Sequence, residues 1–189
     1  DENTKRDFPF DYELKIKYTI NGDTVTNEYI VTNTGEDKLP FVIGGHPAFN
    51  CPLAKGEKFE DYKVVFDKNI TKPCLRPNHH TGLVNVFEKF DEMHGGDTLS
   101  LVHELFEEKD ALIFENCEAK SATLIGKSGK GVKIEFQDMN NLLIWSAVGN
   151  APFVALEPWT GLASCNDEDG LFEHKRGMTV LEKDETASF

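Results

Sequence analysis

Residues 12–31 carry the strongest constraint on the fold. Tyr12, Leu14, Ile16, Tyr18 and Ile20 alternate with polar residues, the period of a half-buried strand with one apolar face. Asn21-Gly22 follows, a favoured dipeptide of tight hairpins. Val25, Asn27, Tyr29 and Val31 then share one face of a return strand, with Thr24, Thr26, Glu28 and Ile30 on the other. A chain that opens this way is committed to antiparallel sheet. Short apolar runs recur at Leu39 to Ile43, Tyr62 to Phe66, Ala111 to Phe114, Ala122 to Ile125, Val132 to Phe136, Leu142 to Ser146 and Phe153 to Leu156. Gly129 and Gly131 supply one turn. Ser100 to Glu108 reads as one or two helical turns with Leu101 and Leu105 on one side, and Lys72 to Gly82 as a long loop. Many short strands with almost no helical periodicity predict an all-β sandwich or barrel. No repeat or internal boundary divides residues 1–189, so a single domain is expected.

Charge and cysteine usage narrow the function. Twenty basic against thirty-three acidic side chains leave a formal charge of −13, which disfavours nucleic acid and anionic membrane as partners. No apolar run approaches the roughly 20 residues that span a bilayer, and Asp1 to Phe10 has no signal-peptide core. Cys51, Cys74, Cys117 and Cys165 are scattered without a C-x-x-C pair, which predicts reduced thiols, a cytoplasmic protein and no zinc site. His79-His80 has no carboxylate close by, so no metal is expected there. No G-x-S-x-G elbow, P-loop or dinucleotide fingerprint occurs.

Two stretches stand out chemically. In Gly44-Gly45-His46-Pro47-Ala48-Phe49-Asn50, two glycines allow unusual backbone angles and Pro47 restricts His46. A histidine so held suits a directed role, although a structural histidine at a strand end would look the same. In Phe153-Val154-Ala155-Leu156-Glu157-Pro158-Trp159, an apolar strand leads to a carboxylate that burial should make a better base near neutral pH. Trp159 offers a flat apolar face of the kind on which sugar rings stack. Lys109-Asp110-Ala111 places an acid at the entry of another apolar strand, where a turn aspartate is the default. One His and one Glu at strand ends, each beside a proline, are what a proton-transfer enzyme needs.

His46-Pro47-Ala48-Phe49-Asn50 resembles the His-Pro-aromatic-Phe-Asn motif of the aldose 1-epimerase (galactose mutarotase) family. Glu157-Pro158-Trp159 resembles the form its catalytic glutamate takes in divergent bacterial members. Phe8-Pro9-Phe10, Pro40-Phe41, Asp110-Ala111-Leu112 and Trp145-Ser146 agree, so the resemblance runs from about Phe8 to Leu181. It implies a β-supersandwich and cofactor-free interconversion of the α and β anomers of a hexose. By this resemblance Glu157 takes the proton of the anomeric hydroxyl and His46 protonates the ring oxygen. Asp110, Asn50 and Trp159 would bind the sugar. The family also has an N-terminal part with an Arg and a second His that this chain does not match, so the chain reads as about the C-terminal two-thirds of such a domain. Exposed sheet edges then predict a homodimer and impaired turnover for the chain alone. A carbohydrate-binding domain without turnover is the rival reading. A phosphorylated sugar is disfavoured, because Lys175-Arg176 is the only adjacent basic pair near the C-terminal strands. His46 and Glu157 are expected on opposite sides of a space one hexose wide.

Overall fold

A computed structural model describes residues 2–78, 80–107 and 110–189. A short helix α1 (Glu2–Asp7) precedes β1 (Tyr12–Asn21), β2 (Thr24–Asn33), β3 (Leu39–Phe41) and β4 (Ala48–Asn50). Then come β5 (Tyr62–Phe66), β6 (Cys74–Pro77), β7 (Val84–Phe90) and β8 (Thr98–Ser100). The single turn α2 (Glu104–Glu107) leads to β9 (Leu112–Phe114), β10 (Ser121–Gly126), β11 (Gly131–Glu135), β12 (Asn141–Trp145) and β13 (Phe153–Trp159). The chain closes with β14 (Thr179–Leu181) and β15 (Thr186–Ser188). Among the described residues every pairing between these strands is antiparallel, as the alternation predicts.

Contacts divide the chain into two compact units, residues 1–42 with 178–189, and residues 43–177. In the first, β1-β2-β15 form one sheet and β14-β3 another. Asn21 pairs with Thr24, so the hairpin turns through Gly22-Asp23, with Gly22 at φ +62°. Gly at the first turn position is the requirement of a two-residue hairpin whose twist matches its strands. The period-two pattern holds, but the expected half-burial does not. Ile16 faces Tyr29, and Ile20 faces Val25, yet Tyr18 is 67% and Ile20 76% exposed. Alternation dictates which side chains share a face and not whether anything covers it. Such patches promote association. Tyr18→Lys with Ile20→Lys is therefore expected to reduce self-association in sedimentation velocity. Unfolding stability should change by only about 0.5 kcal/mol, since the side chains are solvated.

The second unit stacks a four-stranded sheet, β11-β10-β5-β8, and a six-stranded sheet, β4-β13-β12-β9-β6-β7. One face of the larger sheet presents Leu112, Phe114, Leu142, Ile144, Val154 and Leu156, all buried. Phe114 meets Phe66 of the smaller sheet edge-on, with ring centroids 5.3 Å apart. The opposite face carries a second apolar cluster that includes Leu75, Ile113 and Leu143, and this face holds the candidate site.

Two expectations need correction. Cys74–Pro77, inside the segment 72–82 expected to be loop, is a strand, and Val84–Phe90 pairs with it. Two prolines and a buried arginine in the segment hide any alternation. Of the one or two helical turns expected over Ser100 to Glu108, one forms at Glu104–Glu107, starting later because Ser100 still belongs to β8; Glu108 lies outside the described residues.

Candidate active site

One strand pairing builds the site. β4 runs along β13 with Asn50 opposite Phe153 and Ala48 opposite Ala155. Carrying that register onward sets His46 opposite Glu157 and Gly44 opposite Trp159, and Gly44 and Trp159 do form a bridge. The Leu156 N–H donates to Pro47 O at 3.1 Å, Gly45 N–H to Pro158 O at 2.9 Å, and Thr160 N–H to Ile43 O at 2.8 Å. These bonds use the even-numbered residues of β13. His46–Glu157 is thus a non-hydrogen-bonded cross-strand pair, the kind whose side chains come closest. His46 Nε2 lies 3.4 Å from Glu157 Oε1.

Pro158 sits within β13, opposite Leu142. Its carbonyl accepts from Gly45, so its missing N–H also falls on the β4 side and leaves the β12–β13 ladder intact. Gly45 O, which gets no bond from Pro158, accepts the Trp159 indole N–H at 3.2 Å instead. Trp159 thereby folds back over Gly44. A Cβ on Gly44 would fall on the indole Cδ1 and lie 2.7 Å from its Cγ. Neither Gly44 nor Gly45 has positive φ. The glycine at 44 is needed for space, then, and not for the unusual backbone angles expected. Asn141 secures the end of β13, donating to Trp159 O at 3.3 Å, Thr160 O at 3.1 Å and Gly161 O at 2.9 Å.

Glu157 ends a row across the sheet, Leu75–Ile113–Leu143–Glu157. Its side chain is 4% exposed, against 58% for His46. A carboxylate on an apolar face loses hydration that the protein does not fully replace. Burial pushes the Glu157 carboxyl up to about 7, and the negative charge of Asp110 adds to this, whereas His46 and the Trp159 indole oppose it. Glu157 is thus buried, and His46 beside it faces solvent.

The remaining candidates are placed as follows. Asp110 is half-buried just before β9 with φ +55°, and its charge reaches Glu157. Trp159 is half-buried, with its indole N–H bonded to Gly45 O and its ring over Gly44. Asn50 lies on the Glu157 face but four residues along, roughly 13 Å at the rise of a strand, and is exposed. The structure thus brings together His46, Glu157, Asp110 and Trp159, and leaves Asn50 apart. Sequence reasoning did not connect Trp145 with His46. It stands edge-on to the His46 ring, centroids 5.7 Å apart at 89°, and is opposite Ala155. The period-two relation to Leu143 was the available signal.

The opposite-sides expectation is also corrected, since the pair is in direct contact. The reason is the register, which sets position 46 across from position 157 as a non-hydrogen-bonded pair. His79 and Lys109 lie outside the described residues. Among the described residues no group of three His, Cys, Asp or Glu side chains could hold a metal ion. The four cysteines are free and buried, and burial pushes the Cys51 thiol up to about 12, too protonated to serve as a nucleophile. No described helix is long and apolar enough to cross a membrane.

A sequence profile of aldose 1-epimerases matches residues 1–187. The chain belongs to the aldose 1-epimerase family. It is 38% identical over 176 residues to protein LacX of Lactococcus lactis subsp. lactis, in both plasmid and chromosomal forms, covering 91% of this chain and 58% of theirs. Among solved structures it is similar to a galactose mutarotase related enzyme from Lactobacillus acidophilus. That match is 26% identical with a TM-score of 0.87, covering 100% of this chain and 62% of the other. A galactose mutarotase-like protein from Lactobacillus casei ATCC 334 is 28% identical with a TM-score of 0.82, covering 100% and 64%. The all-β galactose mutarotase-like fold implied by the His-Pro and Glu-Pro-Trp motifs is therefore the fold of this chain. The chain spans 58% of the length of these curated relatives.

Proposed function

We propose that this chain serves an aldose 1-epimerase reaction, interconverting the α and β anomers of a hexose without a cofactor. The observation that carries the reading is the 3.4 Å contact between a solvent-facing His46 and a buried Glu157, whose carboxyl burial pushes to about 7. Family membership supports it.

Glu157 in its ionised form removes the proton of the C1 hydroxyl. As the C1 carbonyl forms, the bond from C1 to the ring oxygen breaks, and protonated His46 gives its proton to that oxygen. The ring is now open, Glu157 holds a proton and His46 is neutral. Rotation about C1–C2 turns the other carbonyl face to the oxygen. Closure returns one proton from Glu157 to O1 and one from the attacking hydroxyl to His46, restoring both groups. A base with a carboxyl near neutrality is both ionisable and strong enough for this exchange. In this reading Asp110 accepts hydrogen bonds from sugar hydroxyls, and Trp145, edge-on to His46, covers an apolar sugar face.

Polarimetry of freshly dissolved α-galactose and α-glucose tests the reading against its rival. Acceleration beyond the buffer rate is expected. Calorimetric sugar binding without acceleration would instead make the chain a carbohydrate-binding domain.

A further inference from the structure

Arg76 is 3% exposed and lies in β6, where it alternates with Leu75 of the Glu157 row. A buried guanidinium is costly unless its donors are used. Here Nη2 pairs with Glu92 Oε1 at 2.9 Å. Nη1 reaches a different target, the backbone on either side of one short segment. It donates to Leu105 O at 2.7 Å and to Asp110 O at 3.4 Å. The second carbonyl belongs to the residue that stands in the left-handed region, at φ +55°. That angle matters for aim. Ala111 and Ile113 share the apolar cluster on the Glu157 face, so strict strand alternation would send residue 110 to the other face. The left-handed turn at Asp110 breaks the alternation.

We propose that Arg76 is a positioning residue: by holding the carbonyls of Leu105 and Asp110, it sets the backbone so that the Asp110 carboxylate stays within electrostatic reach of Glu157. The proposal rests on Glu157 being the base and adds how its basicity is maintained. The charged groups that act on Glu157 are His46, from the segment paired with β13, and Asp110, from the entry to β9. β12 presents Asn141, Leu143 and Trp145 on this face, none of them titratable. Asp110, a like charge, favours the protonated carboxyl and so makes the carboxylate a stronger base. Arg76 does not itself touch the reacting atoms.

The test is an NMR titration of the Glu157 carboxyl in the folded chain, assigned with Glu157→Gln. Asp110→Asn is expected to lower the midpoint, by about half a pH unit or more. Arg76→Met is expected to lower it too, and Arg76→Met with Asp110→Asn no further than Asp110→Asn alone. The sign discriminates. Simple removal of a nearby positive charge would raise the midpoint, whereas a loosened Asp110 lowers it. Arg76→Lys can keep a charge beside Glu92 but cannot fork between two carbonyls, so it is expected to restore less than half of the shift. If Arg76→Met fails to fold, the Lys variant carries the comparison, and its midpoint must move down. An unchanged or raised midpoint overturns the proposal, as does an equal added shift on top of Asp110→Asn. Turnover plays no part in this titration. An active Glu157→Gln variant would sink the functional reading while leaving these shifts to be judged separately.

Discussion

Glu157→Gln is expected to slow anomer interconversion by about 10²–10⁴-fold, the usual worth of a positioned base, while making the chain more stable above neutral pH. The two effects have one cause. Burial holds the folded-state carboxyl at about 7, above its ordinary 4.5. Between those values the folded chain binds more protons than the unfolded chain, so stability falls as pH rises through the window. At 1.36 kcal/mol per pH unit the loss by pH 7 and above is about 3 kcal/mol. A glutamine of the same shape stays neutral and avoids this cost. Urea unfolding of the wild type should therefore weaken from pH 4.5 to 7, and the variant should lack that slope. A variant that lost stability at pH 8 would mean the ionised carboxylate is well solvated, contrary to its 4% exposure.

Gly44→Ala is the second large effect. The added methyl falls on the Trp159 ring, and a non-hydrogen-bonded pair has no slack to separate. The indole must swing off Gly45 O or the strands must part. Overpacking of this kind costs about 1–3 kcal/mol. It also shifts the segment that carries His46, and a displacement near 1 Å costs about 10²-fold in rate. The cause is separable from a general intolerance of side chains at this position. In a Trp159→Leu background the colliding ring is gone, so Gly44→Ala should then cost well under half as much in urea unfolding. Additive losses in the double variant would show that the clash is not with the indole.

Much of the fold was legible because period-two patterns report strands directly. β1, β2, β10 and β12 all showed in alternation or in short apolar runs. The catalytic candidates were legible as motifs, since a proline beside a histidine and beside a glutamate restricts each. The register was not legible. Nothing local in Gly44 to Asn50 states that position 46 faces position 157; that follows from Ala48 meeting Ala155 two residues away. The glycine at 44 suggested special backbone angles, but its cause is a tryptophan 115 positions later in the chain. Arg76 was invisible for the opposite reason. A buried arginine between Leu75 and Pro77 resembles loop sequence, and only its carbonyl partners, Leu105 and Asp110, explain why it is inside.

The central claim is that Glu157 is the base of a His46–Glu157 pair. Its most direct test is the rate of α-galactose mutarotation by polarimetry from pH 5 to 9, for the wild type and for Glu157→Gln. Ionisation of the base predicts a wild-type rate that climbs on the acid side of about pH 7, and a variant that is slow and lacks that climb, while the need for a protonated His46 limits the rate on the alkaline side. A Glu157→Gln variant with the wild-type rate and the same climb would contradict the account.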